Sequence, residues 1–300
     1  MSLLDELTGV TGRVLAASGG AVVRIGRAEG RGAGIVVGAG TVLTSAHNLR
    51  GEETTVTFAD GRSVTGTVKG VDADGDLAVL AADTGAATPV AWADADADTT
   101  PAGAVVFALA LPVGGGVRIT NGAVSSAGRS FRGPRGRLIT DGIEHTAPLG
   151  RGSSGGPLLD TEGRLIGVNT HRPGDGLYLA LSATAALRSR VDALARGETP
   201  TRRRLGVALA PPHVARRLRA AVGLEPRDGV LVRDVAEDSP AAGAGLQRGD
   251  LVVAAGGRPV GSIDHLLSAV DGVGEDGTLS LTVWRGAGEL EVTVRFAAAQ

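Results

Sequence analysis

The chain has 300 residues, 43% of them apolar, a net charge of -2 and no cysteine. That length admits two domains, and that apolar content excludes a disordered chain. The near-neutral charge leaves no electrostatic footprint for nucleic acid, and the missing cysteines remove disulfides, thiolate metal sites and cysteine nucleophiles together.

At the N-terminus, Leu3, Leu4, Leu7 and Val10 recur at helical spacing, which predicts a short amphipathic helix lying on the first domain. The same stretch carries Asp5 and Glu6 and has no basic start or long apolar run, so it does not read as a signal peptide. The longest uncharged stretch, Ala102–Val117, is broken by Pro112 and three glycines and is too short to span a bilayer. On this reading the protein is unexported and cytoplasmic, with export or attachment through a partner left open.

From Ala21 onward the pattern is short apolar runs separated by glycine and aspartate turns. Strands are expected at Ala21–Ile25, Gly34–Val37, Val42–Thr44, Thr54–Phe58, Ser63–Val71 and Leu77–Ala81, with Asp60-Gly61 as a hairpin turn. His47 follows the third of these in Thr44-Ser45-Ala46-His47-Asn48, where a tight turn can hold its ring. Asp72, Asp74 and Asp76 precede the sixth. Strand alternation cannot separate them, since all three share parity; Asp76 is favoured because it abuts the apolar run and so can be buried.

A second set of strands is expected at Val105–Leu111, Val117–Ser126, Leu138–Glu144, Pro157–Leu159, Leu165–Asn169 and Leu177–Leu181. Two groups of about six suggest two small antiparallel barrels. Between the third and fourth strands of this set lies Gly152-Ser153-Ser154-Gly155-Gly156-Pro157-Leu158. A serine among glycines on a tight turn presents its oxygen and backbone N–H groups to one point, the geometry of an acyl-transfer nucleophile. A helix is expected at Thr184–Arg196, where Leu187, Val191 and Leu194 share a face.

Glu198–Arg204 is polar, basic and broken by Pro200, and reads as a solvated linker. Beyond it a second unit of about a hundred residues is expected, with strands at Gly206–Leu209, Gly229–Val235, Asp250–Ala254, Leu279–Arg285 and Glu291–Phe296. Helices are expected at Pro212–Val222, Pro240–Ala244 and Ile263–Val270, the last capped by Ser262.

These segments, in this order, resemble the HtrA (DegP-like) family of trypsin-fold serine proteases with a C-terminal PDZ domain. The resemblance rests on Gly32–Val37, Leu43–His47, Asp76–Leu80, Gly152–Leu158 and Leu165–Thr170. In the second unit it rests on Ser239-Pro240-Ala241, Ala244-Gly245-Leu246 and Gly249-Asp250-Leu251. It implies a mainly β chain: two six-stranded antiparallel barrels over 1–198, a linker over 199–204 and a small α+β PDZ domain over 205–300.

It also implies a serine endopeptidase in which Ser154 attacks the scissile carbonyl, His47 is general base and then acid, and Asp76 orients His47. The backbone amides of Gly152 and Ser154 would form the oxyanion hole, and Asn169, Tyr178 and Leu179 would form the substrate pocket. In the PDZ unit the carboxylate loop would run through Arg204, Leu205, Gly206 and Val207. The helix Ile263–Val270 would wall the groove with Leu266, Leu267 and Val270, or simply pack them as core. Expected partners are unfolded proteins and peptide C-termini, in a homo-oligomer that the resemblance makes a trimer. No cofactor or metal is expected.

The chain departs from the family pattern at Thr146, Gly150-Arg151 and Ser153 around the nucleophile loop, where Gly150 is expected to loosen the oxyanion loop. It departs again at Tyr178, which stands where relatives carry glycine. Tyr178 either narrows the pocket toward small aliphatic P1 residues or, by strand alternation, points away. His145 and His171 flank the active-site loops as pH sensors or as polar residues without a role. The alternative function is a proteolytically weak peptide-binding scaffold, disfavoured because no member of the triad is replaced.

Overall fold

The short apolar runs pair as antiparallel strands throughout the chain. The computed structural model describes residues 2–27, 32–93, 100–133, 138–198, 203–273 and 277–296. The chain divides into two compact units, Met1–Pro200 and Thr201–Gln300.

The first unit holds two closed barrels. One is built from β1 (Val22–Ile25), β2 (Gly32–Gly38), β3 (Thr41–Thr44), β4 (Glu53–Phe58), β5 (Ser63–Asp72) and β6 (Leu77–Ala81), in the order β1-β2-β3-β6-β5-β4. The other is built from β7 (Val105–Ala110), β8 (Arg118–Arg132), β9 (Leu138–His145), β10 (Pro157–Leu159), β11 (Leu165–Gly174) and β12 (Leu177–Ser182), in the order β10-β11-β12-β9-β8-β7. Read from its first strand, the second barrel repeats the connectivity of the first. Closure removes free sheet edges. The interiors are filled by Val, Leu and Ile, with Phe107 the largest fully buried side chain. The Asp60-Gly61 turn forms as expected: Gly61 has φ +89° and Phe58 N donates to Arg62 O at 2.8 Å.

Two helices pack on this unit. Helix α1 (Leu3–Ser18) starts in a capping box, with Asp5 N donating to Ser2 Oγ at 3.2 Å and Ser2 N to Asp5 Oδ2 at 2.9 Å. It runs past Gly9 and Gly12, which are exposed, because Val14 is fully buried a turn later. That burial offsets the roughly 1 kcal/mol a glycine costs inside a helix. Helix α2 (Ala185–Ala195) buries Leu187, Val191 and Leu194. It lies close on β5: a Cβ on Gly70 would stand 2.6 Å from Leu194 O.

The second unit is a sheet ordered β13 (Val207–Ala210), β14 (Val230–Val235), β15 (Leu251–Ala255), β17 (Thr278–Arg285), β18 (Gly288–Arg295), with the two-residue β16 (Arg258–Pro259) paired to β15. Strand β13 is an edge. The helices are α3 (Pro212–Ala221), α4 (Pro240–Gly243) and α5 (Ile263–Asp271), the last capped by Ser262 Oγ, which accepts from His265 N at 3.2 Å. Asp250 is fully buried and takes a bidentate bond from Arg285, Nε to Oδ1 at 2.8 Å and Nη2 to Oδ2 at 2.9 Å, plus Gln247 N at 2.9 Å. Of the expected linker, residues 199–202 lie outside the described residues. Arg203 is not a solvated hinge residue: its guanidinium donates to Val273 O.

Candidate active site

Three loops meet between the barrels. The first follows β3, where a single 3-10 turn, Ala46–Asn48, carries His47. The second is the β5–β6 turn. Asp76 sits there in the left-handed region with φ +56°, a conformation that costs a non-glycine residue about 1–3 kcal/mol unless the surroundings fix it. They do: Ala46 N donates to Asp76 O at 3.2 Å. Four residues earlier, at the end of β5, buried Asp72 accepts from Gly75 N at 2.8 Å and from Arg190 Nη1 on α2 at 3.3 Å. The structure thus separates Asp72 from Asp76, giving Asp72 a scaffolding place and Asp76 the histidine.

The Asp76 carboxylate is 1% exposed and takes hydrogen bonds on both oxygens. His47 Nδ1 lies 2.9 Å from Oδ1 and 2.9 Å from Oδ2, and His47 N donates to Oδ1 at 3.1 Å. Thr170 Oγ1 donates to Oδ2 at 2.6 Å. An ionised carboxylate only accepts, so Nδ1 of His47 carries the proton and Nε2 is left as the basic nitrogen.

The third loop carries Ser154. Its two following glycines are forced by close approach. A Cβ on Gly155 would stand 2.4 Å from Ala33 O and 2.7 Å from Thr44 Oγ1, and one on Gly156 would stand 2.6 Å from Leu109 O. The Ser154 carbonyl accepts from Ala33 N at 2.8 Å and from Asn48 Nδ2 at 2.9 Å. Its hydroxyl donates to the carbonyl of Thr170 at 3.1 Å, not to His47. Thr170 therefore touches both ends of the constellation, Asp76 through its side chain and Ser154 through its backbone. Gly152 has φ +79°, and a Cβ there would meet nothing, so backbone conformation rather than space calls for glycine. Among the described residues the Gly152 and Ser154 amides have no acceptor, which leaves both available to a developing oxyanion.

Beside Ser154 lies a cavity of about 50 Å³ lined by Leu149, Gly150, Ser153, Asn169, Thr170 and Tyr178. Tyr178 thus turns toward the site. Leu179, of opposite parity, is buried but not among the lining residues. Asn169 is fully buried; its Nδ2 donates to Pro157 O at 2.9 Å, and its Oδ1 lies 3.0 Å from His145 Nε2. His145 stacks on Tyr178 with ring centroids 5.8 Å apart. Burial pushes the His145 imidazole down to about 4, only partly opposed by its bond to Asn169. It is an interior neutral ring, not an exposed sensor. The side chain of His171 lies outside the described residues.

In the second unit, Leu205 and Gly206 precede edge strand β13. Among the described residues neither amide has an acceptor, while Leu205 O takes Ala241 N at 3.0 Å and Gly206 O takes Ala236 N at 2.9 Å. A Cβ on Gly206 (φ +80°) would strike Ser239, and Val207 is half-buried. Leu266 and Val270 are 0% and 2% exposed. They are core, and do not wall an open groove. The concavity of about 700 Å³ in this unit borders the other side of α5, at His265 and Ala269, together with Val260, Val273 and the β17 residue Leu279.

Sequence reasoning passed over two residues. Thr170 was part of a matched segment but has no motif of its own, since only folding brings it to Asp76. Asn48 beside His47 carried no signal either; its reach to Ser154 crosses from one barrel to the other.

Comparison with known proteins agrees with this geometry. Residues 32–168 match a trypsin-like peptidase domain and 204–296 a PDZ domain. A putative serine protease, HhoA, from Synechocystis is 32% identical, over 90% of this chain and 71% of its own length. A probable periplasmic serine endoprotease, DegP-like, from Brucella suis is also 32% identical, over 91% of this chain and 53% of its own length. The chain thus spans about half the length of the DegP-like relatives. Among solved structures, the HtrA-type protease AlgW with a decapeptide superposes with a TM-score of 0.78 at 23% identity, over 97% of this chain and 99% of that one. The serine endoprotease from Yersinia pestis gives 0.73 at 24%, over 97% and 98%. The names overturn the expected cytoplasmic location, since the DegP-like relatives are called periplasmic. No helix among the described residues is long and apolar enough to cross a membrane. Barrels, loop constellation and relatives together place this chain in the HtrA/DegP-like family of serine proteases, a trypsin-fold endopeptidase followed by a PDZ domain.

Proposed function

We propose that residues 1–198 act as the protease domain and 205–300 as a peptide-binding PDZ domain, joined through 199–204, with His47, Asp76 and Ser154 as the catalytic triad. The carrying observation is the buried Asp76 carboxylate holding His47 Nδ1 with both oxygens. It fixes the tautomer that takes a proton from Ser154 and later returns it to the leaving amine. The substrate carbonyl oxygen settles on the Gly152 and Ser154 amides, each worth on the order of 3 kcal/mol in comparable enzymes. In the resting site the Ser154 hydroxyl bonds to Thr170 O, so catalysis requires it to turn to His47 as substrate arrives, as is common for unliganded sites.

The substrates we propose are unfolded or damaged proteins. The cavity beside Ser154 holds roughly two waters' volume, and Tyr178 closes one wall of it. It suits P1 residues of alanine-to-valine size. The PDZ domain receives a peptide C-terminus as an added strand on β13, its carboxylate on the free amides of Leu205 and Gly206. By family resemblance the chain assembles as a trimer.

A fluorophosphonate probe tests the triad. It should label the protein and fail on Ser154→Ala; no labelling of the wild type, even with a C-terminal peptide present, sinks the reading. Cleavage of unfolded casein with product sequencing then reads P1, where a preference for Leu or Phe would refute the role given to Tyr178.

A further inference from the structure

We propose that Asn48 is a positioning residue that sets the distance between nucleophile and base. The inference rests on the triad reading above.

His47 belongs to the first barrel and Ser154 to the second, so their separation depends on how the barrels dock. Asn48 spans that seam. It follows His47 in the same tight turn, where Asn48 N donates to Ser45 O at 3.1 Å and Leu49 N to Ala46 O at 3.1 Å. Its side-chain Nδ2 donates to the carbonyl of Ser154 at 2.9 Å and to Thr44 Oγ1 at 3.0 Å. The Thr44 hydroxyl is committed to Ala33 O at 2.7 Å, which fixes which end of the amide is nitrogen. The residue next to the base thus grips the backbone of the nucleophile. The amide is rigidly placed: Asn48 is 1% exposed, and a Cβ on Gly32 would stand 2.1 Å from Nδ2. Gly32 leaves the room this side chain needs.

Stability alone does not account for the residue. Among the described residues Asn48 Oδ1 is buried without a partner. Such an atom is a standing cost, whereas an apolar side chain of like volume would carry none. A side chain that gives up stability in order to hold the Ser154 carbonyl fits positioning rather than packing.

The test separates the amide donor from volume, using the full chain. Asn48→Leu keeps the branched shape and heavy-atom count of the side chain and removes the donor; Asn48→Ala removes both. Active sites are first counted with a fluorophosphonate, and kcat per titrated site, KM on a chromogenic peptide and Tm are then measured. Both variants should lose about 10- to 100-fold in kcat per titrated site, the scale of small misplacements of reacting groups, with KM changed less than about twofold. Tm should fall only in Asn48→Ala. The losses in kcat would then follow the missing donor and Tm the missing volume. The proposal is overturned if kcat per titrated site stays within about twofold of wild type in either variant, or if kcat falls in step with Tm across the pair. If Asn48→Leu does not fold, Asn48→Ala decides by the same reading of kcat. If wild type is not titrated at all, the triad assignment itself has failed, an outcome visible before any Asn48 variant is made.

Discussion

Acid should loosen the protease unit through one ring. His145 is fully buried under Tyr178, and burial holds its imidazole at about 4 against an ordinary 6.5. The unfolded chain therefore takes up a proton as pH drops through about 6.5, while the native site refuses it until about 4. Stability is unaffected by this ring at pH 7, declines from about 6.5 downward and levels off below about 4. The full penalty is about 3 kcal/mol, the gap between the two titration points at 1.36 kcal/mol each. The comparison is His145→Gln, which cannot titrate but keeps a donor for Asn169 Oδ1. Calorimetric unfolding of the protease transition, followed from pH 7 to pH 4, should show wild type losing about 3 kcal/mol relative to the variant. The remaining carboxylates and histidines titrate alike in both proteins and cancel. A wild-type-minus-variant difference that stays flat over this range would refute the buried neutral ring.

Three further outcomes follow from the geometry. Thr170→Val removes the hydroxyl that donates to Asp76 at 2.6 Å; a bond to a buried carboxylate is worth about 1.5–3 kcal/mol, so kcat/KM should fall about 10- to 100-fold while the fold survives, and unchanged kinetics would contradict the contact. Gly155→Ala puts a methyl 2.4 Å from Ala33 O and should abolish probe labelling, which full labelling would disprove. Asp250→Ala strips the acceptor from Arg285 and Gln247 and should lower the stability of the PDZ unit by on the order of 2 kcal/mol, leaving the protease transition in place; calorimetry reads both at once.

The fold was legible because its signals are local. Asp60-Gly61 makes the hairpin it announces, Ser262 caps the helix it precedes, and the apolar runs become strands with shifts of a few residues. Gly9 and Gly12 concealed the true length of α1, since propensity weighs each glycine while the decisive burial of Val14 depends on the barrel beneath. Within the site, His47 and the serine loop stood out because adjacent residues carry the pattern. Asp76 could be preferred over Asp72 only through its neighbour Leu77, and the deciding bond runs to α2 through Arg190, over a hundred residues away. Thr170 and Asn48 were invisible for the same reason: each acts on a residue about a hundred positions distant. Leu266 and Val270 misled because a helix that walls a groove and a helix that plugs a core show the same apolar stripe.

The seam at Gly155 and Gly156 has a consequence for a ribosome making this enzyme. Neither barrel contains a cutting edge by itself, because the serine loop gets its shape from Ala33 and Thr44 on one side and Leu109 and Asn169 on the other. Asp76 also waits for Thr170 to emerge. A nascent chain can thus finish its N-terminal half without any power to digest itself or its neighbours, and proteolysis switches on only when synthesis has passed the point where the halves can close.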